Sequence, residues 1–159
     1  MKKRVILLVL IFLNLGVIFF FSHQTSEVSG KLSSGITSQI KVHTPHYAEK
    51  TQAQQKVVHT QVQYAIRGLA HGCLFFSLGV LSLLLWKTFS YKWYVMIMSN
   101  VLLGFLVALS DEIHQLFVPG RSFGWDDILY DSIGFLTGMV IVMLFTLINR
   151  LYKKRTESK

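Results

Sequence analysis

Four long, predominantly apolar segments alternate with polar ones along the chain, at residues 5–21, 68–86, 93–116 and 126–149. Each has about the 17–25 residues that a helix needs to cross the hydrocarbon core of a bilayer, and its charges lie near its ends. No internal repeat interrupts this pattern. The sequence therefore predicts an all-α integral membrane protein, a single domain over residues 1–159 built as a bundle of four transmembrane helices.

The composition supports a membrane protein and gives little sign of disulfide chemistry. Charged residues make up 15% of the chain, against about 25% in ordinary soluble domains. The single cysteine, Cys73, lies inside the second apolar segment and has no intramolecular partner. We expect it to be a small, buried packing residue.

The basic residues are distributed unevenly about the four segments. Ten of the sixteen Lys and Arg residues lie before the first segment, between the second and third, or in the tail at 150–159. The positive-inside rule then places both termini in the cytoplasm and exposes residues 22–67 on the outer face. The net charge of +8 is on this interpretation a signal of topology. We expect the bilayer, and no nucleic acid, as a partner.

The segment at 22–67 has a pattern of its own. Apolar residues recur at every fourth position among Ser, Thr, Gly and Lys, at Val28, Leu32, Ile36 and Ile40. This spacing predicts a short amphipathic helix lying in the membrane interface. Residues 52–66 are rich in Gln and Val and are expected to lead as a weak helix into the second span. A solvated linker without fixed structure is the alternative for the whole segment.

An unusually polar stretch joins the third and fourth segments. Residues 110–134 contain four Asp, one Glu, one His and one Arg. If the third helix continues to about residue 116, the i, i+3, i+4 spacing puts Asp111, His114 and Gln115 on one face. Glu112 points about 100° away from Asp111. Residues 118–121, Val-Pro-Gly-Arg, then predict a turn.

The fourth helix is expected to begin near residue 125 and to carry two functional carboxylates. Asp127 falls in its first turn, where free N–H groups favour negative charge. Asp131 lies one turn deeper, where a carboxylate costs about 2.5–3.5 kcal/mol by insertion scales and needs a partner. Arg67 and His71 lie one turn apart at the facing end of the second helix, and Arg121 lies in the turn.

These residues together predict an outward-facing polar pocket at one end of the bundle. Its members are Arg67, His71, Asp111, Glu112, His114, Gln115, Arg121, Asp127 and Asp131. Below it, Gly134 and Gly138 form a small-xxx-small ridge that allows close approach of another helix.

The same residues resemble the motifs of the VanZ-like family. The pattern S-D-E-x-H-Q-x-F-x-P-G-R begins at Ser110, and D-x-x-x-D-x-x-G-x-x-x-G begins at Asp127. Two weaker motifs, F-S-S-Q and R-K-x-A-H-F, match with departures: His23 replaces a Ser, Gly68 a Lys and Gly72 an aromatic residue. The likeness extends over nearly the whole chain and implies a bacterial plasma-membrane protein linked to tolerance of glycopeptides such as teicoplanin.

Several mechanisms are compatible with this resemblance. The pocket could bind an envelope lipid, a cell-wall precursor or a partner protein without any reaction. It could instead be an enzyme site in which Asp111, Glu112, His114 and His71 provide acid–base chemistry, or hold a divalent metal, on a lipid-linked substrate. A structural network of ion pairs and a proton or solute pathway are the remaining alternatives.

The residues favour binding over catalysis, because no enzyme signature accompanies the cluster. The spacing D-E-x-H differs from the H-E-x-x-H of zinc peptidases, and neither a Gly-rich phosphate loop nor a nucleophile elbow is present. Two His, several carboxylates and two Arg nevertheless exceed what packing requires. We therefore expect a binding site with no resident metal; the sequence specifies no cofactor and is compatible with a homo-oligomer.

The positive-inside rule gives the first testable prediction. Reporter fusions at the C-terminus should be active only in the cytoplasm, and a fusion near Gln54 only outside. An external C-terminus would contradict the predicted orientation.

Overall fold

The structure, a computed structural model, describes residues 1–43, 47 and 49–157, and these residues form helices and turns only. The helices are α1 (Lys2–Ser22), α2 (Ser26–His43), α3 (Gln52–Trp86), α4 (Trp93–Gln115) and α5 (Trp125–Glu157). The predicted all-α fold is confirmed, whereas the predicted burial of Cys73 is wrong, because this residue lies on an exposed face of α3.

Four helices, α1, α3, α4 and α5, are long and apolar enough to cross a membrane. Large apolar side chains cover their outer surfaces, as at Phe12 on α1 and Phe145 on α5, which are 71% and 66% exposed. Exposing such apolar surfaces to water would cost free energy, whereas exposing them to lipid does not. The predicted four-span membrane protein is therefore supported by both the length and the surface of the helices.

Two helices are longer than the predicted spans. The span predicted at 68–86 is the second half of α3, which begins at Gln52 after a capping box. In that box Thr51 Oγ1 accepts a hydrogen bond from the Gln54 backbone amide, and Gln54 Oε1 accepts one from the Thr51 backbone amide. The span predicted at 126–149 continues through the basic tail to Glu157. Once a helix has begun, each added residue gains a hydrogen bond, so helices extend beyond the apolar segment that anchors them.

The helix α2 lies where a short amphipathic helix was predicted. It contacts α3, since Gln63 Nε2 donates a hydrogen bond to the Gly30 carbonyl over 3.2 Å. The side chains of Leu32, Ile36 and Ile40 lie outside the described residues. The amphipathic face of α2 therefore stays a prediction.

The tightest contact in the bundle joins α3 and α5 through glycines. A Cβ at Gly134 would collide with the Gly72 carbonyl oxygen, and one at Gly138 with that of Phe76. From the other side, a Cβ at Gly79 would collide with the Phe135 carbonyl oxygen. The predicted ridge at Gly134 and Gly138 is confirmed, and its partner surface is on α3. Only glycine allows the two backbones to approach this closely.

A second set of contacts ties the helices together at the other end of the bundle. Arg4 Nε donates to Thr88 Oγ1 over 3.1 Å, and its guanidinium lies 4.4 Å from the centre of the Phe89 ring. Lys87 Nζ donates to Thr146 Oγ1 on α5. The turn between α3 and α4 therefore contacts both α1 and α5.

The glycine contact predicts that Gly134→Ala will destabilise the protein. A helical alanine gains at most about 1 kcal/mol over glycine, whereas forcing a methyl group into a packed site costs about 1–3 kcal/mol. We expect a lower melting temperature in detergent and less protein in the membrane.

Gly16→Ala is the matched control, because a Cβ at Gly16 meets nothing within 4 Å. It should leave the melting temperature unchanged or slightly higher. Equal stability of the two variants would show that α3 and α5 are not in backbone contact at Gly134.

Candidate functional site

The polar residues predicted to act together lie at the end of the bundle where residues 116–124 join α4 to α5, which we call the polar end. Five of them are buried, with at most 8% of each residue exposed: His71, Asp111, Glu112, Gln115 and Asp131. Burying ionisable side chains in membrane helices costs free energy, so each of these side chains is expected to have a partner that offsets the cost.

Three helices contribute one side chain each to the centre of this site. His71 Nδ1 on α3 lies 3.8 Å from Asp111 Oδ2 on α4 and 3.8 Å from Asp131 Oδ1 on α5. Both separations exceed the length of a direct hydrogen bond. Gln115 Nε2, one turn along α4, donates to Asp111 Oδ2 over 2.9 Å and orients that carboxylate. We call His71, Asp111 and Asp131 the buried triad.

Asp131 is the least satisfied member of the triad. It is 1% exposed, and neither carboxylate oxygen accepts a hydrogen bond from any residue that the structure describes. Of the three basic partners that the sequence suggested, Arg67, His71 and Arg121, the structure places only His71 within 4.0 Å of it. A carboxylate buried in this way requires a proton, a cation or a polar ligand close to it.

Arg67 interacts instead with Asp127 at the start of α5. The Arg67 guanidinium lies 3.6 Å from Asp127 Oδ2 and 5.3 Å from the centre of the Tyr64 ring. Tyr64 was missed by the sequence analysis, although its i, i+3 spacing from Arg67 was a usable signal. Tyr130 was also missed; its ring fills the space over Gly68, where a Cβ would come within 3.0 Å of it.

Glu112 faces the connecting segment rather than the triad. It is fully buried, and its Oε2 accepts a hydrogen bond of 2.7 Å from the Gly124 amide just before α5. This position agrees with the predicted rotation of about 100° from Asp111. Glu112 therefore anchors the beginning of α5 to the end of α4.

Arg121 anchors the connecting segment to α1. Residues 118–121 form the predicted turn, with the Arg121 amide donating to the Val118 carbonyl over 3.1 Å and Gly120 at φ +74°. Arg121 Nε then donates to the Gln24 carbonyl over 3.1 Å, just beyond α1. Burial lowers the pKa of the Arg121 guanidinium, which remains charged at neutral pH.

His114 is separated from the triad and faces α1. Its Nε2 lies 3.4 Å from His23 Nδ1, and its ring centre lies 4.5 Å from that of Phe19. Asp111, His114 and Gln115 were predicted to share one face of α4. Asp111 and Gln115 instead lie at the triad, whereas His114 faces α1. His23, noted in the sequence only as a departure from a family motif, is the polar partner of His114.

Two cavities adjoin these side chains. A small one of about 10 Å³ is lined by Arg67, Gly68, His71, Gln115, Arg121, Asp127, Tyr130 and Asp131. A larger one of about 470 Å³ lies between α1 and α4 and is lined by Leu15, Ile18, Phe19, Leu106, Val107, Ser110, Asp111 and His114. We call the larger cavity the α1–α4 groove. Asp111 belongs to both the groove and the buried triad, whereas His71 and Asp131 line the small cavity.

No curated protein and no solved structure matches the chain significantly. A family model described as VanZ/LLP1 matches residues 5–146, which include α3 and α4, most of α1 and α5, and every residue of the polar site. The match covers most of the chain, and the chain belongs to the VanZ/LLP1 family.

Proposed function

We propose that the protein binds an envelope lipid of the bacterial plasma membrane and thereby raises tolerance to teicoplanin-like glycopeptides. The acyl chain of the lipid lies in the α1–α4 groove, and its headgroup lies beside Asp111 and His114. The observation that carries this proposal is the groove itself, an apolar cavity of about 470 Å³ with ionisable side chains at one end.

The composition of the groove suits an amphiphile. Its apolar lining comes from α1 and α4: Leu15, Ile18, Phe19, Leu106 and Val107. Its volume is within the range of about 300–1,000 Å³ found for small-molecule sites. Each acyl methylene removed from water contributes about 0.8 kcal/mol; in a bilayer the gain is smaller, so the headgroup contacts must provide selectivity.

The polar side chains at the end of the groove can provide that selectivity. Ser110, Asp111 and His114 line it on α4. Asp111 is held in one orientation by Gln115, and the His114 ring contacts the rings of both Phe19 and His23. Side chains fixed by their neighbours lose little conformational entropy when they bind a headgroup.

Both the membrane orientation and the link to glycopeptides are part of the proposal. The distribution of basic residues supports cytoplasmic termini, which would direct the polar end outward. There, a protein that sequesters or reorganises a lipid at the outer leaflet would lower drug binding without changing cell-wall precursors. Membership in the VanZ/LLP1 family supports this connection.

Filling the groove should abolish tolerance while leaving the protein folded. Leu106 lines the groove and is 51% exposed, so Leu106→Trp adds volume where the acyl chain would lie. Leu102→Trp is the matched control, one helical turn earlier on α4, 58% exposed and outside the lining of the groove. We expect wild type and Leu102→Trp to raise the minimal inhibitory concentration of teicoplanin in a susceptible Gram-positive host, and Leu106→Trp not to.

Membrane abundance by immunoblot and lipid co-purification by native mass spectrometry complete the test. Leu106→Trp should match the control in abundance and lose bound lipid. His114→Asn should reduce tolerance at normal abundance, because it removes the imidazole at the headgroup end. Equal tolerance of both Trp variants would contradict lipid binding in the groove, and altered cell-wall precursors in expressing cells would favour an enzyme.

A further inference from the structure

We infer that the buried triad, His71, Asp111 and Asp131, is a binding site for one divalent transition-metal ion, of which Zn²⁺ and Mn²⁺ fit best. The sequence alone predicted no resident metal, because its residues match no standard ligand spacing. The three ligands come from three different helices, and only the folded bundle brings them together. The ion site does not depend on lipid binding.

The geometry of the triad suits a single ion. One ligand atom from each residue lies within 4.8 Å of the other two, and all three residues are buried. Ligand atoms on one tetrahedral Zn²⁺ ion, at about 2.0–2.2 Å from the metal, are about 3.3–3.5 Å apart. The two 3.8 Å separations from His71 Nδ1 are close to that value, and small side-chain rotations complete the approach.

Asp131 provides the independent sign of a ligand. Its carboxylate is buried, points into the triad and accepts no hydrogen bond from the described residues. The cavity of about 10 Å³ beside His71 and Asp131 has room for about one water-sized particle. Arg67 and Arg121 also line this cavity, but they contact Asp127 and the Gln24 carbonyl, and neither forms an ion pair with Asp131 among the contacts that the structure describes.

The charges around the triad also favour a cation. Asp127 is paired with Arg67, and Arg121 donates to backbone carbonyls at the end of α1. Asp111 and Asp131 have ion-pair contacts only with His71, among the residues that the structure describes. A protonated imidazole supplies one positive charge to two carboxylates. A divalent ion supplies two, and leaves the imidazole neutral and able to coordinate.

The donor set determines which ions fit. One imidazole with two carboxylates suits Zn²⁺ and Mn²⁺ better than Ca²⁺ or Mg²⁺, which prefer oxygen alone. Gln115 holds the Asp111 carboxylate through a 2.9 Å hydrogen bond, as neighbouring polar groups commonly hold metal ligands. Three protein ligands leave a coordination position open for another group.

The open position suggests which headgroup the groove accepts. Asp111 lines the α1–α4 groove as well as the triad, so the ion would lie at the polar end of the groove. A metal with an open position binds phosphate oxygens, and a phosphate-bearing lipid headgroup is the matching ligand. This role in lipid recognition rests on the proposed function, whereas the ion site itself does not.

The metal content of the full-length protein tests the site directly. The protein is purified in detergent with a Strep tag, and bound metal is removed with EDTA. It is then incubated with ZnCl₂ or MnCl₂ and desalted, and its metal content is measured by inductively coupled plasma mass spectrometry. We expect about one ion per chain and a rise in melting temperature that EDTA reverses, because an ion that binds only the folded state stabilises it. Fewer than about 0.1 ions per chain with both metals, and no shift in melting temperature, would overturn the site.

Variants then identify the ligands. His71→Gln and Asp131→Asn should weaken metal binding at least tenfold, since even residues that only support ligands change affinity by about 10–100-fold. Asp126→Asn is the control, because Asp126 is an exposed carboxylate near the start of α5 and outside the triad. Unchanged affinity in His71→Gln would assign the ion to other residues and contradict the site.

A second measurement covers the case in which Asp131→Asn does not accumulate. Co²⁺ can replace Zn²⁺, and its visible absorption bands report nitrogen and oxygen ligands around the ion. The wild type should show these bands and His71→Gln should lose them; identical spectra would overturn the assignment. No lipid or drug is present in these measurements, so they test the ion site separately from the proposed lipid binding.

Discussion

The backbone contact between α3 and α5 is the constraint on which the polar site depends. Gly134 and Gly138 on α5 lie against the carbonyls of Gly72 and Phe76 on α3, with no room for a Cβ at either glycine. His71 immediately precedes Gly72, and Asp131 lies one turn before Gly134 on the same face of α5. The close approach of the two helices therefore brings the imidazole and the carboxylate together.

The remaining charges are distributed so that most have a local partner. Glu112 accepts from the Gly124 amide, Asp127 pairs with Arg67, and Arg121 donates to the Gln24 carbonyl. These three contacts fix the ends of α4, α5 and α1 around the triad. Asp131 is left without a hydrogen bond from the described residues, in a setting where an unpaired carboxylate is expensive. The structural contacts of Glu112, Asp127 and Arg121 can thus be distinguished from Asp131, whose carboxylate needs a proton, a cation or a polar ligand close to it.

The sequence allowed the architecture to be predicted because lipid imposes simple rules on helix length and charge. The four helices long and apolar enough to cross a membrane, the turn at residues 118–121 and the ridge at Gly134 and Gly138 were predicted correctly. The weak helix expected at residues 52–66 is present as the first half of α3. The extension of α5 to Glu157 was missed, since polar helical residues beyond an apolar segment carry no hydropathy signal.

The site was predicted less completely. The spacing of residues along a helix gives the direction of each side chain, but it does not give the residues on other helices that the side chain contacts. His114 and Asp111 were assigned to one face, yet His114 contacts His23, just beyond α1, while Asp111 faces His71. The α1–α4 groove could not be predicted, since it is a space between two helices that are distant in sequence. The roles of Tyr64 and Tyr130 likewise depend on tertiary contacts.

A double-mutant cycle between His71 and Asp131 tests most directly whether α3 and α5 assemble the site. The unfolding free energy is measured in detergent for His71→Gln, Asp131→Asn and the double variant, and a second cycle pairs His71→Gln with Asp126→Asn. Residues in one network couple, whereas distant ones are additive to within about 0.5 kcal/mol. We expect a coupling of about 1 kcal/mol or more for His71 with Asp131 and additivity for the control. Additivity in both cycles would contradict the contact.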